Sequence, residues 1–138
     1  MIYLEYEYGN MGENCANYLV TLPTGKTLFY GVDTGPYLEE TFDALKKVSL
    51  DILISECTFG NGEDSGPPPH GHLAAATCME MFGRLLEQKT ISPNTRIYLT
   101  HINHCHTATH AMLCDLFAKT DFPCQMTVAY DGMQITEG

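Results

Sequence analysis

Basic residues are scarce in this sequence: seven Lys and Arg stand against 17 Asp and Glu among 138 residues, a formal net charge of −10. Affinity for a nucleic acid depends on Lys and Arg replacing the counterions condensed on its phosphates, so non-specific nucleic-acid binding is not expected. A small phosphorylated substrate is not excluded, because a bound cation reverses the local field whatever the net charge. Long apolar runs are missing as well. None approaches the ~20 residues that a membrane helix needs, and no basic segment followed by an apolar one opens the chain, so no membrane contact and a cytoplasmic setting are expected. The six cysteines include no C-x-x-C pair. That argues against a zinc ribbon or a thioredoxin-type redox site, and for reduced thiols that serve mostly as small core residues.

What is present is a globular composition, 44% hydrophobic and 17% charged. It suffices for one domain, 1–138, with a core of its own. "IYLEYEY" (2–8) alternates in the period of a strand with one wet face. "NYLVTLPTGKTLFYGVD" reads as a hairpin around Pro23-Thr24-Gly25-Lys26. In "DTGPYLEETFDALKKV" the period changes: Leu38, Phe42 and Leu45 share a helical face, Glu39 and Glu40 fall in the first turn, Lys46 and Lys47 in the last, and Pro36 suits the start. "DILISE" (51–56) is apolar without alternation, as in a strand covered on both faces. The Gly- and Pro-dense stretch "CTFGNGEDSGPPPHGH" is too long for a plain connector, and loops of this length are usually functional.

Further on, residues 73 to about 88 read as a helix and "RIYLT" (96–100) as a buried strand. Residues 107 to about 118 read as a third helix with Ala108, Met112 and Leu116 aligned, and "MTVAYDGMQI" as a closing strand or bent pair. Antiparallel strands followed by strand–helix units predict an α/β domain whose later strands are parallel. In open α/β sheets ligands bind beyond the carboxyl ends of the strands. Asp33, Glu56 and His101 each end a predicted strand, so three separate stretches deliver polar side chains to one edge.

Four of the six histidines lie in "YLTHINHCHTATH" (98–110). His101 fits a metal ligand or a strand-end histidine bonded to backbone. Asp33 fits a ligand, or a cap or Asx-turn for the segment after it. Glu56 suits orienting a ligand or bonding loop backbone more than direct catalysis. His70 and His72, at a helix entrance behind three prolines, fit acid–base work or capping. His106 and His110, four apart at a helix start, have chelating spacing but no evident third ligand. Cys105, between His104 and His106, reads as a thiol packed on the sheet, or as an added thiolate.

Five stretches in order, "FYGVDTG", "DILISECTFG", "HGHL" opening a helix, "IYLTHINH" and "AYDGMQI", resemble the metallo-β-lactamase superfamily, in particular its phosphodiesterase-like branch. The resemblance covers about residues 17 to 135. The resemblance implies the C-terminal half of an αββα sandwich: a mixed sheet with helices packed on one face. It also implies two metals, zinc or manganese, that activate water toward phosphorus or a carbonyl, in this branch of a small phosphodiester. Asp33 then matches the carboxylate that bridges the metals and His101 the last histidine ligand, while His70 or His72 matches a histidine that assists the scissile oxygen.

Two departures count against a self-sufficient site. The superfamily's histidine-x-histidine-x-aspartate-histidine run has no counterpart here. Where a further histidine ligand is expected the chain has Met11, whose thioether is a poor donor to a hard hydrolytic metal. A catalytic zinc takes about three protein ligands and a water, and Asp33 with His101 makes two. The metal is therefore expected to be held weakly unless His70, His72 or another chain contributes. Without the other half, an apolar sheet face rich in Tyr, Leu and Phe would meet water, so a homodimer or a second covering chain is expected. The alternative is a non-catalytic, degenerate domain that acts as a binding or oligomerisation module.

Overall fold

The computed structural model describes residues 2–8, 13–62, 71–103 and 108–137. Met11, His70, His104, Cys105 and His106 lie outside the described residues. Six strands, β1 (Ile2–Tyr8), β2 (Glu13–Thr21), β3 (Thr27–Gly31), β4 (Ile52–Glu56), β5 (Arg96–Thr100) and β6 (Gln125–Val128), form one sheet in sequential order. The first three pair antiparallel, and β3 to β6 pair parallel. The mixed sheet expected from the sequence is thus observed.

The β2–β3 hairpin closes as predicted around Gly25, which takes a φ of 85° that a side chain would strain. The Gly25 amide donates to the Leu22 carbonyl, and the Leu22 amide to that of Lys26. Each parallel step carries one helix: α1 (Glu39–Leu45) between β3 and β4, α2 (Ala75–Glu87) between β4 and β5, and α3 (His110–Lys119) between β5 and β6. All three crossovers advance the same way along the sheet, and a common right-handed sense places all three helices on one face.

Register and burial agree with that arrangement. Phe29, Leu53 and Ile97 lie in one cross-strand row and are fully buried in the core with Leu45, Phe82, Leu85 and Leu113. The next residues along, Tyr30, Ile54 and Tyr98, form the neighbouring row and point the other way. Tyr30 and its β2 partner Tyr18 stay exposed, their rings 6.4 Å apart. The expectation that Phe would join the wet face is corrected here: the alternation of β3 sends Phe29 inward, edge-on to Tyr37, and leaves Tyr30 out.

Two helices differ from their sequence reading. α1 begins at Glu39, behind Leu38 at the cap position, three residues after Pro36, and ends at Leu45 before Lys46 and Lys47. Leu38 is extended there (φ −75°, ψ 164°), and Tyr37 is buried against Phe29 and Phe42. In α3 the buried residues are Leu113 and Phe117, whereas Met112 is 57% exposed and Leu116 38%. The closing segment makes the single strand β6, then turns at Gly132 and returns to the β2–β3 turn, where Lys26 Nζ donates to the Glu137 carbonyl. Among the described residues no helix is long and apolar enough to cross a membrane.

Candidate metal centre

The carboxyl ends of β3, β4 and β5 meet at one edge, and that edge carries the polar residues expected there. Glu56, the last residue of β4, is fully buried. A buried carboxylate is tolerated only when its lone pairs are filled, and those of Glu56 are. Oε1 accepts from the backbone amides of Thr34 at 2.8 Å and Gly35 at 2.7 Å. Oε2 accepts from the Thr58 hydroxyl at 2.6 Å, His72 Nδ1 at 2.9 Å and the Leu73 amide at 3.3 Å. Burial pushes the Glu56 pKa up, but the bonds from Thr58, Gly35, His72 and Thr34 outweigh it and hold the group below its ordinary value.

This network bears on the cap and Asx-turn reading of Asp33. The amides that an Asx-turn or cap would use are donated to Glu56 instead, which also fixes the segment between β3 and α1. The Asp33 side chain is left 66% exposed, with Oδ1 3.6 Å from His72 Nδ1 and 3.9 Å from His101 Nε2. Its backbone has a φ of 59°, and His101 one of 57°. Left-handed backbone at a non-glycine residue costs roughly 1–3 kcal/mol and clusters at functional sites, with Asp among the residues that bear it best.

His101 follows directly on β5, and its Nδ1 lies 2.9 Å from the Thr58 hydroxyl oxygen. Since that hydroxyl spends its own proton on Glu56, it accepts from Nδ1–H, which leaves Nε2 as the lone-pair nitrogen facing Asp33. His72 sits just ahead of α2, half-buried, edge-on to Phe59 at 5.9 Å and 5.4 Å from the His101 ring. Its Nδ1–H is committed to Glu56, so its free nitrogen is Nε2.

Asp33, His72 and His101 each offer one donor atom, all within 4.8 Å of one another. Two imidazoles and a carboxylate form a donor set that zinc accepts, with a position left for water. Ligand atoms about 2.1 Å from a shared zinc can be at most about 4.2 Å apart, and Asp33 Oδ1 with His101 Nε2, the nitrogen left free by Thr58, falls inside that span at 3.9 Å. The orienting partners behind the two histidines, Glu56 directly and Thr58 as a relay, are of the kind that metal-ligating histidines require.

The structure thus brings together Asp33, His72 and His101 of the residues selected from sequence, with Glu56 beneath them. His110 is elsewhere: its Nε2 lies 3.2 Å from the Val128 carbonyl, and its Nδ1 3.6 Å from Cys114 Sγ. It is no part of this centre. Thr58 was missed by sequence reading. Its one signal is its place, two residues beyond a strand-end glutamate.

No protein-family model matches the chain. No curated protein matches it. Among solved structures, the fold is similar to that of the metallo-beta-lactamase fold protein YhfI from Bacillus subtilis, with a TM-score of 0.64 and 22% sequence identity over 95% of this chain and 46% of that one. The fold is of the metallo-β-lactamase type. The chain spans less than half the length of YhfI.

Proposed function

We propose that this chain is the C-terminal half of a metal-dependent hydrolase of the phosphodiesterase-like branch of the metallo-β-lactamase superfamily, acting on a small phosphodiester. The observation that carries this reading is the convergence of Asp33, His72 and His101 on one buried, fully bonded carboxylate. A protein core has no need of such an arrangement: two of these three residues sit on left-handed backbone, and the Asp33 side chain is mostly exposed.

In this reading Asp33 and His101 hold zinc or manganese. Bound there, the ion supplies Lewis acidity and a more acidic water. The chain's own groups do the rest. Thr58 keeps the His101 proton on Nδ1 so that Nε2 can donate its lone pair. Glu56 fixes His72 by Nδ1, which leaves Nε2 to deliver a proton to the leaving oxygen or to serve as a third donor, and stabilises the ring when it is charged. His70 keeps its place as the alternative helper. A second copy of the chain, laid against the face of Tyr18 and Tyr30, adds the missing donors as a homodimer. Cytoplasmic placement goes with this reading, in which the cysteines serve as reduced thiols.

The test is metal analysis after dialysis against a chelator and readdition, run beside cleavage of a nitrophenyl phosphodiester. Stoichiometric zinc or manganese with metal-dependent cleavage supports the hydrolase. A second reading, a non-catalytic binding or oligomerisation module, rests on the limited donor set: three candidate ligands among the described residues. Neither metal retention nor cleavage would decide for it.

A further inference from the structure

Three hollows run together beside the candidate metal centre. One, of about 400 Å³, is walled by Phe59, His72, His101 and Ile102. The next, of about 300 Å³, shares His101 and Ile102 with it and adds Ala129, Tyr130 and Asp131. The third, of about 420 Å³, shares Ile102, Tyr130 and Asp131 and is floored by Leu113 and Val128, with His110 at its rim. Shared walls make them one groove, polar at the imidazoles and apolar at the far end.

The far end is built to keep its shape. Leu113 and Val128 belong to the core. His110 bonds the Val128 carbonyl at 3.2 Å and stands edge-on to the Tyr130 ring, 6.2 Å between centroids. Tyr130 itself is 60% exposed, a large ring beside an apolar floor. Asp131 lines two of the three hollows, and among the described residues no Lys or Arg lines any of them. A second phosphate or a carboxylate in the groove would face Asp131 with no cation to offset it. An uncharged ring would instead cover the half-buried Ile102 and the exposed face of Tyr130, above the closed floor of Leu113 and Val128.

Resting on the hydrolase reading, we propose that this groove is a specificity subsite for an uncharged aryl group of the substrate. The substrate class is then an anionic ester with one aromatic substituent, as opposed to a polyphosphate or an oligonucleotide. The metal end takes the anion and the apolar end takes the ring.

The test uses the whole chain, labelled with ¹³C at Ile, Leu and Val methyls, titrated with phenylphosphonate and with methylphosphonate, with and without zinc. Phenylphosphonate is expected to shift the Ile102, Leu113 and Val128 methyls and to bind about tenfold more tightly than methylphosphonate. Zinc should tighten both, and Tyr130→Ala should remove most of the phenyl preference. Methyl shifts with phenyl preference but no tightening by zinc would sink the metal reading and leave the subsite standing. Zinc tightening without phenyl preference would overturn the subsite alone. No shift with either probe would overturn both.

Discussion

The Thr58 hydroxyl donates to Glu56 Oε2 at 2.6 Å and so turns its own oxygen toward His101 Nδ1 at 2.9 Å. A strand-end carboxylate thereby orients an imidazole it does not touch. Thr58→Val keeps the shape and removes the relay. Losing a partner behind a ligating histidine weakens metal binding by about 10–100-fold, and Thr58→Ser should restore most of it. Zinc titration of the three proteins checks this. Equal affinity in Thr58→Val would show that His101 needs no orienting group.

Glu56 is the group on which the whole edge depends. Glu56→Gln offers one acceptor oxygen and one NH₂ to the donors from Thr34, Gly35, Thr58, His72 and Leu73, so at least one buried N–H or O–H is left facing another donor. The expected loss is about 3 kcal/mol of folding stability, read from denaturant unfolding, since hydrogen bonds to a buried charge are costly to break. A loss below about 1 kcal/mol would mean that water replaces the carboxylate readily.

Asp33 should behave in the opposite way. Its side chain is mostly exposed, and asparagine tolerates the same left-handed backbone. Asp33→Asn is therefore expected to leave stability within about 0.5 kcal/mol while abolishing high-affinity zinc binding by calorimetry. Unfolding of this variant would assign Asp33 to the fold instead of to the metal.

These contrasts explain which parts could be read from sequence. Asp33, Glu56 and His101 were legible because parallel strands send the residues at their carboxyl ends to one edge. Thr58 was not, because its role depends on where Glu56 and His101 meet in space, 43 residues apart for the Thr58–His101 contact. The face of α3 was misread for a different reason. Met112 and Leu116 form one apolar stripe and Leu113 and Phe117 another, offset by a single position. Periodicity reports a stripe but does not choose between neighbours, and the sheet chose the second. The start of α1 falls at Glu39 and not at Pro36 because Tyr37 is drawn into the core against Phe29 and Phe42 and Leu38 is extended, tertiary packing that propensity at Pro36 does not contain.

The sheet face away from the helices supplies the last prediction. Tyr18 and Tyr30 are cross-strand partners, exposed side by side, and paired aromatics on an open sheet are costly to hydrate and well suited to bury against a copy of themselves. A two-fold arrangement places each pair on the other's face with one type of contact. Sedimentation at micromolar concentration should then give a dimer. Tyr18→Glu with Tyr30→Glu should shift it to monomer, because each added carboxylate would be desolvated opposite its symmetry mate. If the donors missing from the metal centre come from that partner, the same double variant also loses zinc, although neither tyrosine belongs to the Asp33, His72 and His101 cluster. A monomer that retains full zinc affinity would separate the two ideas and place every required ligand within one chain.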